Sequence, residues 1–281
     1  MSEQQRSGQR TFLLVLTLAA TTAGCAGNTG RVTPVPELRP GWLVGYLSPE
    51  TLPNSIALLP PPPAAGSVAL ALDEEYSKRS LALHDTPAWT LATSDADLTF
   101  PHAASTFSCA VDAPITEEDT PHLYMLLRRT LTDAARSTYA AKDHYHRARP
   151  FELNHAPICT PEEKAALEKS GSYPSGHNAI GMAWALILTE IVPEQTEAIL
   201  ERGGAYGLSR LICNVHWHSD TLEGRYMGAY TVARLHADPT FRADLEAARA
   251  ELAAVRAKGL KATRDCSAEA AAVALQRTLM Q

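Results

Sequence analysis

A chain of 281 residues, 45% apolar and 20% charged, is long enough to bury a sizeable core within one domain. Its formal net charge of −6, with no basic stripe along the chain, argues against nucleic acid as a partner. Aromatic side chains make up only 6%, whereas Ala and Leu dominate the second half, which leans helical.

Arg6 and Arg10 precede the apolar run 12–20, and small residues then lead to Cys25, the pattern of an export signal. The run is too short to form a stable membrane span. Residues 1–25 are therefore expected to be a signal peptide, residues 26–42 a polar tether, and residues 43–281 a single domain of a periplasmic or secreted protein. Thr22-Ala23-Gly24-Cys25 resembles the lipobox of bacterial lipoproteins, in which the Cys carries the lipid. Thr22 stands where Leu is usual, so a membrane tether through Cys25 and ordinary cleavage nearby are parallel expectations. Cys109, Cys159, Cys213 and Cys266 follow without any Cys-x-x-Cys spacing, which favours disulfides over zinc and allows three pairings.

Residues 41–59 read as an irregular arm or short helix, and Pro60-Pro61-Pro62-Pro63 as a polyproline segment. Residues 67–83 look helical, with Leu70, Leu72, Tyr76 and Leu81 offering apolar contacts; residues 87–108 read as loop with at most a short helical piece. Thr120 and Pro121 open a helix whose apolar stripe, from Leu123 to Ala135, carries it to about Tyr145. Thr160-Pro161-Glu162-Glu163 is a capping box for a short helix ending near Gly171. Helices are then expected at 176–192, 193–211, 217–236 and 239–258. No segment after residue 110 alternates as a strand does, and the fold class is all-α, a helical bundle.

Three clusters carry chemistry. Pro174 and the small Ser175 and Gly176 force a sharp entry into an apolar helix, whose free N–H groups would face an anion beside His177. Upstream, Lys142 and Arg149 are seven apart, which on one continuous helix places them on one face, about 10.5 Å apart along the axis; Pro150 would end or distort that helix and turn Arg149 inward. Two converging cations suit a dianion, although a basic helix end is more often just solvated. Downstream, His216 and Asp220 are one helical turn apart, so the carboxylate can accept from Nδ1–H and leave Nε2 bare, or the pair can simply staple a helix. Arg210 lies among Leu208, Leu211 and Ile212, where an Arg needs an anionic partner. His144-x-His146 and His216-x-His218 point to opposite sides of any helix, so neither a metal nor another cofactor is expected. Together the clusters suit metal-free phosphoryl transfer: cations and amides hold the oxygens, one His attacks, the other protonates the leaving oxygen.

Lys142-x6-Arg149-Pro150, Pro174-Ser175-Gly176-His177 and Ser209-Arg210-x5-His216-x3-Asp220, in that order, closely resemble the signature of the type 2 phosphatidic acid phosphatase and vanadium haloperoxidase superfamily. The flanking Phe107-Ser108-Cys109-Ala110, residues 140–145 and Gly171-Ser172-Tyr173 resemble the secreted class A bacterial non-specific acid phosphatases in particular, a likeness covering roughly residues 43–258. The resemblance implies an all-α fold with the phosphate site inside the bundle. It implies His216 as the nucleophile, Asp220 as its orienter and His177 as the general acid, with Lys142, Arg149, Arg210, Ser175 and the Gly176 amide on the phosphate oxygens. It further implies broad use of small phosphomonoesters at acid pH, no metal, and a homodimer. Asn178 and His218 depart from the commoner Thr and Gln, which touches substrate preference and pH optimum more than chemistry. Two alternatives share the anion site, a vanadate-dependent haloperoxidase and a non-catalytic phosphate-binding surface lipoprotein. Because the segments carrying Cys159 and Cys213 must meet at one phosphate, the expected disulfides are Cys159–Cys213 and Cys109–Cys266.

Overall fold

The computed structural model describes Val32 and residues 34–281. The expected signal peptide and Cys25 lie outside them, as does most of the first half of the expected tether. Within the tether stretch, β1 (Glu37–Arg39) pairs antiparallel with β2 (Trp42–Leu43) around Gly41, whose φ of +79° a side chain would resist. The rest is helical: α1 (Ser55–Leu58), α2 (Val68–Ser80), α3 (Pro87–Ala96), α4 (Pro121–Ser137), α5 (Tyr139–Tyr145), α6 (Pro150–Asn154), α7 (Lys164–Leu167), α8 (Gly176–Ile191), α9 (Thr196–Ile212), α10 (His218–Leu235), α11 (Pro239–Ala257) and α12 (Cys266–Gln276). The all-α expectation holds.

The core is built around α8. Its Ile180, Ala183, Trp184, Ile187 and Leu188 are buried on successive faces, because α4, α9 and α10 all pack against it. Small residues set the spacing: a Cβ on Gly224 or Gly228 of α10 would stand 2.4 Å from the carbonyl oxygen of Ser175 or Ala179. That close approach presses the first turn of α10, which carries Asp220, onto the first turn of α8, where the Ser175 N–H donates to the Asp220 carbonyl at 2.9 Å.

Four local expectations need correction. The helix opened at Pro121 stops at Ser137, and Thr138 caps a separate α5 that ends in His146 at φ +42°. Pro150 does not end a helix but begins α6, at the first position where its missing N–H costs nothing; Lys142 and Arg149 therefore reach the same place from different elements. Residues 87–96 form a full helix whose inner stripe, Ala88, Leu91, Ala92 and Asp95, is too small and too polar to stand out by hydropathy. In α2 the buried residues are Asp73, Ser77 and Ser80, while Leu72 is 47% exposed, so this helix docks through its polar face rather than its leucines. Helix α12, beyond the expected elements, packs on α3 and α9.

Both expected disulfides are present, Cys109–Cys266 and Cys159–Cys213. The second closes 54 residues of chain, for which loop-closure entropy gives about 4 kcal/mol. The paired change Cys159→Ala and Cys213→Ala is expected to lower the unfolding free energy by up to about that amount in urea titrations; an unchanged midpoint would show that the bridge does not constrain the unfolded chain.

Candidate active site

Ser175 caps α8 in extended backbone, and its buried Oγ accepts from the Asn178 N–H at 3.3 Å and from Asn178 Nδ2 at 2.9 Å. The hydroxyl proton is used by neither bond. Gly176 and His177 then face a cavity of about 230 Å³ together with Lys142, Arg149, Arg210 and His216. These four long side chains form a buried floor, whereas the rim, with Glu163, Ala166, Leu167 and Ser170, is open to solvent or only partly covered. Ser175 stands just behind the cavity wall and is not among its lining residues.

The floor is cationic without counter-ions. Lys142 Nζ donates to the carbonyls of Gly171 (2.9 Å) and Ser172 (3.3 Å). Arg149 donates from Nη1 to Val215 O at 2.8 Å and from Nε to Leu167 O at 3.0 Å. Arg210 is 1% exposed, yet its Nε has no partner and its Nη1 finds only the Cys213 sulfur at 3.9 Å. Among the described residues no carboxylate forms a salt bridge with any of the three. Other arginines of the interior are treated differently: buried Arg202 pairs with Asp95 and Glu269, and the partly buried Arg147 with Asp73 and Asp220. Uncompensated buried charge is costly, so three such groups on one cavity signal an anion that binds there. Burial, then the neighbouring Arg149, pushes Lys142 down to about 7. Burial, then Arg210, lowers Arg149 only to about 10, and it stays charged.

His216 lies in the turn between α9 and α10, with Nδ1 at 3.3 Å from Asp220 Oδ2 and Nε2 at 3.3 Å from Arg149 Nη1. With its proton on Nδ1, Nε2 presents a lone pair to the cavity, and the guanidinium can donate to it. The turn is held by Asn214 at φ +59°, whose carbonyl accepts from the Phe151 N–H of α6 and whose Nδ2 donates to Asn154 Oδ1 at 3.0 Å. His177 donates from Nε2 to the Ala96 carbonyl at 3.0 Å, the free C-terminal end of α3, which leaves Nδ1 for a ligand. Burial holds both imidazoles well below the usual histidine range; Arg149, Lys142 and Arg210 add to this at His216, and Arg210 at His177, where the Ala96 carbonyl partly offsets it.

All the expected site residues thus meet at one place, with Asp220 behind His216 and Ser175 at the cavity wall with its hydroxyl proton uncommitted. The sequence reading missed the groups that hold them. Asp220 Oδ2 also accepts from the Trp217 N–H at 2.8 Å, while Oδ1 accepts from Arg147 at 2.6 Å. Arg147 sits inside the first cluster, two residues before Arg149, but its spacing marks no role; Asp73, among the acidic residues of α2, carries no signal. Asp95 fixes Ser209 of the third motif, its Oδ2 accepting from Ser209 Oγ at 2.6 Å. His218 stacks on Tyr76 with ring centroids 4.0 Å apart, outside the cavity. His144 and His146 are exposed.

A helical bundle whose cavity gathers three cations without salt bridges, a helix N-terminus and two histidines, one backed by a carboxylate, is an arrangement suited to a tetrahedral oxyanion. Residues 121–243 match the PAP2 superfamily, and the chain belongs to that superfamily. It is 41% identical over 212 residues to the non-specific acid phosphatase of Providencia stuartii, covering 75% of this chain and 86% of that protein. To the non-specific acid phosphatase of Salmonella typhimurium it is 42% identical over 208 residues, 74% of this chain and 83% of that one. To the acid phosphatase of Zymomonas mobilis it is 40% identical over 203 residues, 72% and 77% of the two chains.

Proposed function

We propose that this chain is an exported, metal-independent acid phosphatase that hydrolyses small phosphomonoesters through a phosphohistidine. The observation that carries the reading is the set of buried cations without counter-ions, Lys142, Arg149 and Arg210, around His216 Nε2. A substrate phosphate takes the place of the missing counter-ions, its oxygens held by those cations, the Gly176 amide and the Ser175 hydroxyl. The Nε2 lone pair of His216 forms the P–N bond as the ester P–O bond breaks. The bound phosphate dianion favours the charged form of His177, which gives its Nδ1 proton to the departing alkoxide, then takes one from water as that water attacks phosphorus and releases Nε2. Asp220 keeps the His216 proton on Nδ1 and supports its positive charge in the phosphorylated state. The names of the relatives support a phosphatase over a haloperoxidase, and a mere phosphate binder has no use for a bare Nε2 backed by a carboxylate.

The same proposal takes residues 1–25 as an export signal, with Cys25 a lipid anchor if it is the processed residue, residues 26–42 as the tether and residues 43–281 as the catalytic domain. Two disulfides support an oxidising compartment. Among the described residues no helix is long and apolar enough to cross a membrane. A homodimer belongs to the proposal as well, supported by Leu222, Tyr226 and Tyr230, an exposed apolar row at helical spacing on α10.

Phosphate release from a panel of monoesters, measured across pH with and without EDTA, tests this function. Lys142 is charged below about 7 and neutral above it, so kcat/KM is expected to fall as pH rises through that value, with EDTA without effect. Activity that EDTA abolishes and zinc restores would overturn the mechanism.

A further inference from the structure

Arg147 lies between two buried carboxylates on different helices. Its Nη1 donates to Asp220 Oδ1 at 2.6 Å and to Ser219 Oγ at 2.7 Å, and its Nη2 donates to Asp73 Oδ2 at 2.6 Å. Asp73 is 1% exposed and Asp220 0%. Asp73 also accepts from the Ser219 N–H at 2.7 Å and from Ser219 Oγ at 2.6 Å, so α2 is clamped to the first turn of α10. The Arg147 guanidinium lies 5.4 Å from the centre of the Trp217 ring, which closes its remaining side. The chain of contacts is thus Asp73, Arg147, Asp220, His216, with only the last reaching the cavity.

A nucleophilic histidine in an enzyme working below neutral pH faces a conflict. It needs a carboxylate to fix its tautomer, yet an unshared carboxylate beside an imidazole favours the protonated form, which cannot attack. We propose, resting on the assignment of His216 as nucleophile, that Arg147, held by Asp73, is a positioning residue that shares the charge of Asp220, so that Asp220 orients His216 without drawing a second proton onto it. The groups facing His216 from the surrounding elements are mostly cationic. Lys142 on α5, Arg149 before α6, Arg210 on α9 and His177 on α8 are the cationic or ionisable neighbours, Glu163 sits at the rim, and Asp220 is the carboxylate in direct contact. Arg147 is what divides that carboxylate's charge. Asp73 in turn prevents Arg147 from acting as a full extra cation at the site and fixes its geometry.

The proposal predicts opposite behaviour from two neutralising changes. In Arg147→Gln, Asp220 is left unshared, His216 gains protons more easily, and the acid limb of kcat/KM for p-nitrophenyl phosphate moves up by about one pH unit. Below that limb, activity relative to wild type falls about ten-fold. In Asp73→Asn, Arg147 turns wholly to Asp220, and the limb stays or moves down. Arg147→Lys keeps the charge and is expected to restore the wild-type limb with a reduced kcat. The profiles are run on the full chain, with the histidine NMR titration of each variant as a second readout, assigned by His216→Asn. An equal loss of kcat at every pH in both neutralising variants, with His216 titrating as in wild type, would overturn the proposal and reduce the cluster to a structural clamp. Failure of the underlying assignment looks different: the wild-type enzyme would then form no phosphoenzyme on His216, whatever the limbs do.

Discussion

His216→Ala is expected to abolish turnover, whereas His177→Ala loses activity in proportion to how much the leaving group needs a proton. Removing the nucleophile leaves the cations and amides to bind phosphate without a group to attack it, a loss on the order of 10⁴-fold or more. Removing the general acid costs about 10²–10⁴-fold on alkyl phosphates, because an alkoxide is a poor leaving group. p-Nitrophenolate leaves without help, so the same variant should keep far more of its rate on p-nitrophenyl phosphate. The geometry supports the division of labour, since His216 turns Nε2 to the cavity side, 3.3 Å from Arg149 Nη1, and His177 spends Nε2 on the Ala96 carbonyl and keeps Nδ1 for the leaving group. Steady-state kinetics of both variants on an alkyl and an aryl phosphate check this. Equal losses on both substrates in His177→Ala would remove it from the proton-transfer step.

Arg210→Met is expected to make the ligand-free protein no less stable, and by up to about 1–4 kcal/mol more stable, while cutting kcat/KM by about 10²–10³-fold. The reasoning is electrostatic. Arg210 is buried, unpaired at Nε and beside two further cations, so the free protein bears its desolvation cost with no salt bridge in return, only the attraction of Glu163 and Asp95 at longer range. A methionine of similar volume removes that cost and takes away a phosphate ligand. Adding phosphate or vanadate should therefore raise the Tm of the wild-type chain much more than that of the variant. Thermal melts of both proteins with and without the anion decide it; a variant clearly less stable than wild type would mean that Arg210 has a structural role instead.

The residues that meet at the cavity were legible because each stands in a local pattern that has few physical uses. Pro174-Ser175-Gly176 before an apolar run can hardly do anything but open a helix, and an Arg among leucines asks for an anion. What surrounds them was not legible. The break at Thr138 follows an unbroken helical pattern, which places Lys142 and Arg149 on one helix face, whereas they converge through a turn and a separate helix start. Helices α2 and α3 dock through Asp73, Ser77 and Asp95, residues that periodicity counts as solvent-facing. Their partners, Arg147, Ser209 and Arg202, lie 74, 114 and 107 residues away, and nothing local announces such pairs. The supports of the site are therefore long-range polar contacts, the kind of information that single-sequence reading lacks.

The central claim, that His216 Nε2 takes the phosphoryl group, is tested most directly by rapid quench at alkaline pH after mixing with substrate, followed by peptide mass spectrometry. One acid-labile phosphoryl group on the peptide containing His216, absent from His216→Ala, is the result this account predicts; a phosphoryl group on another residue, or none during a measurable burst, would contradict it.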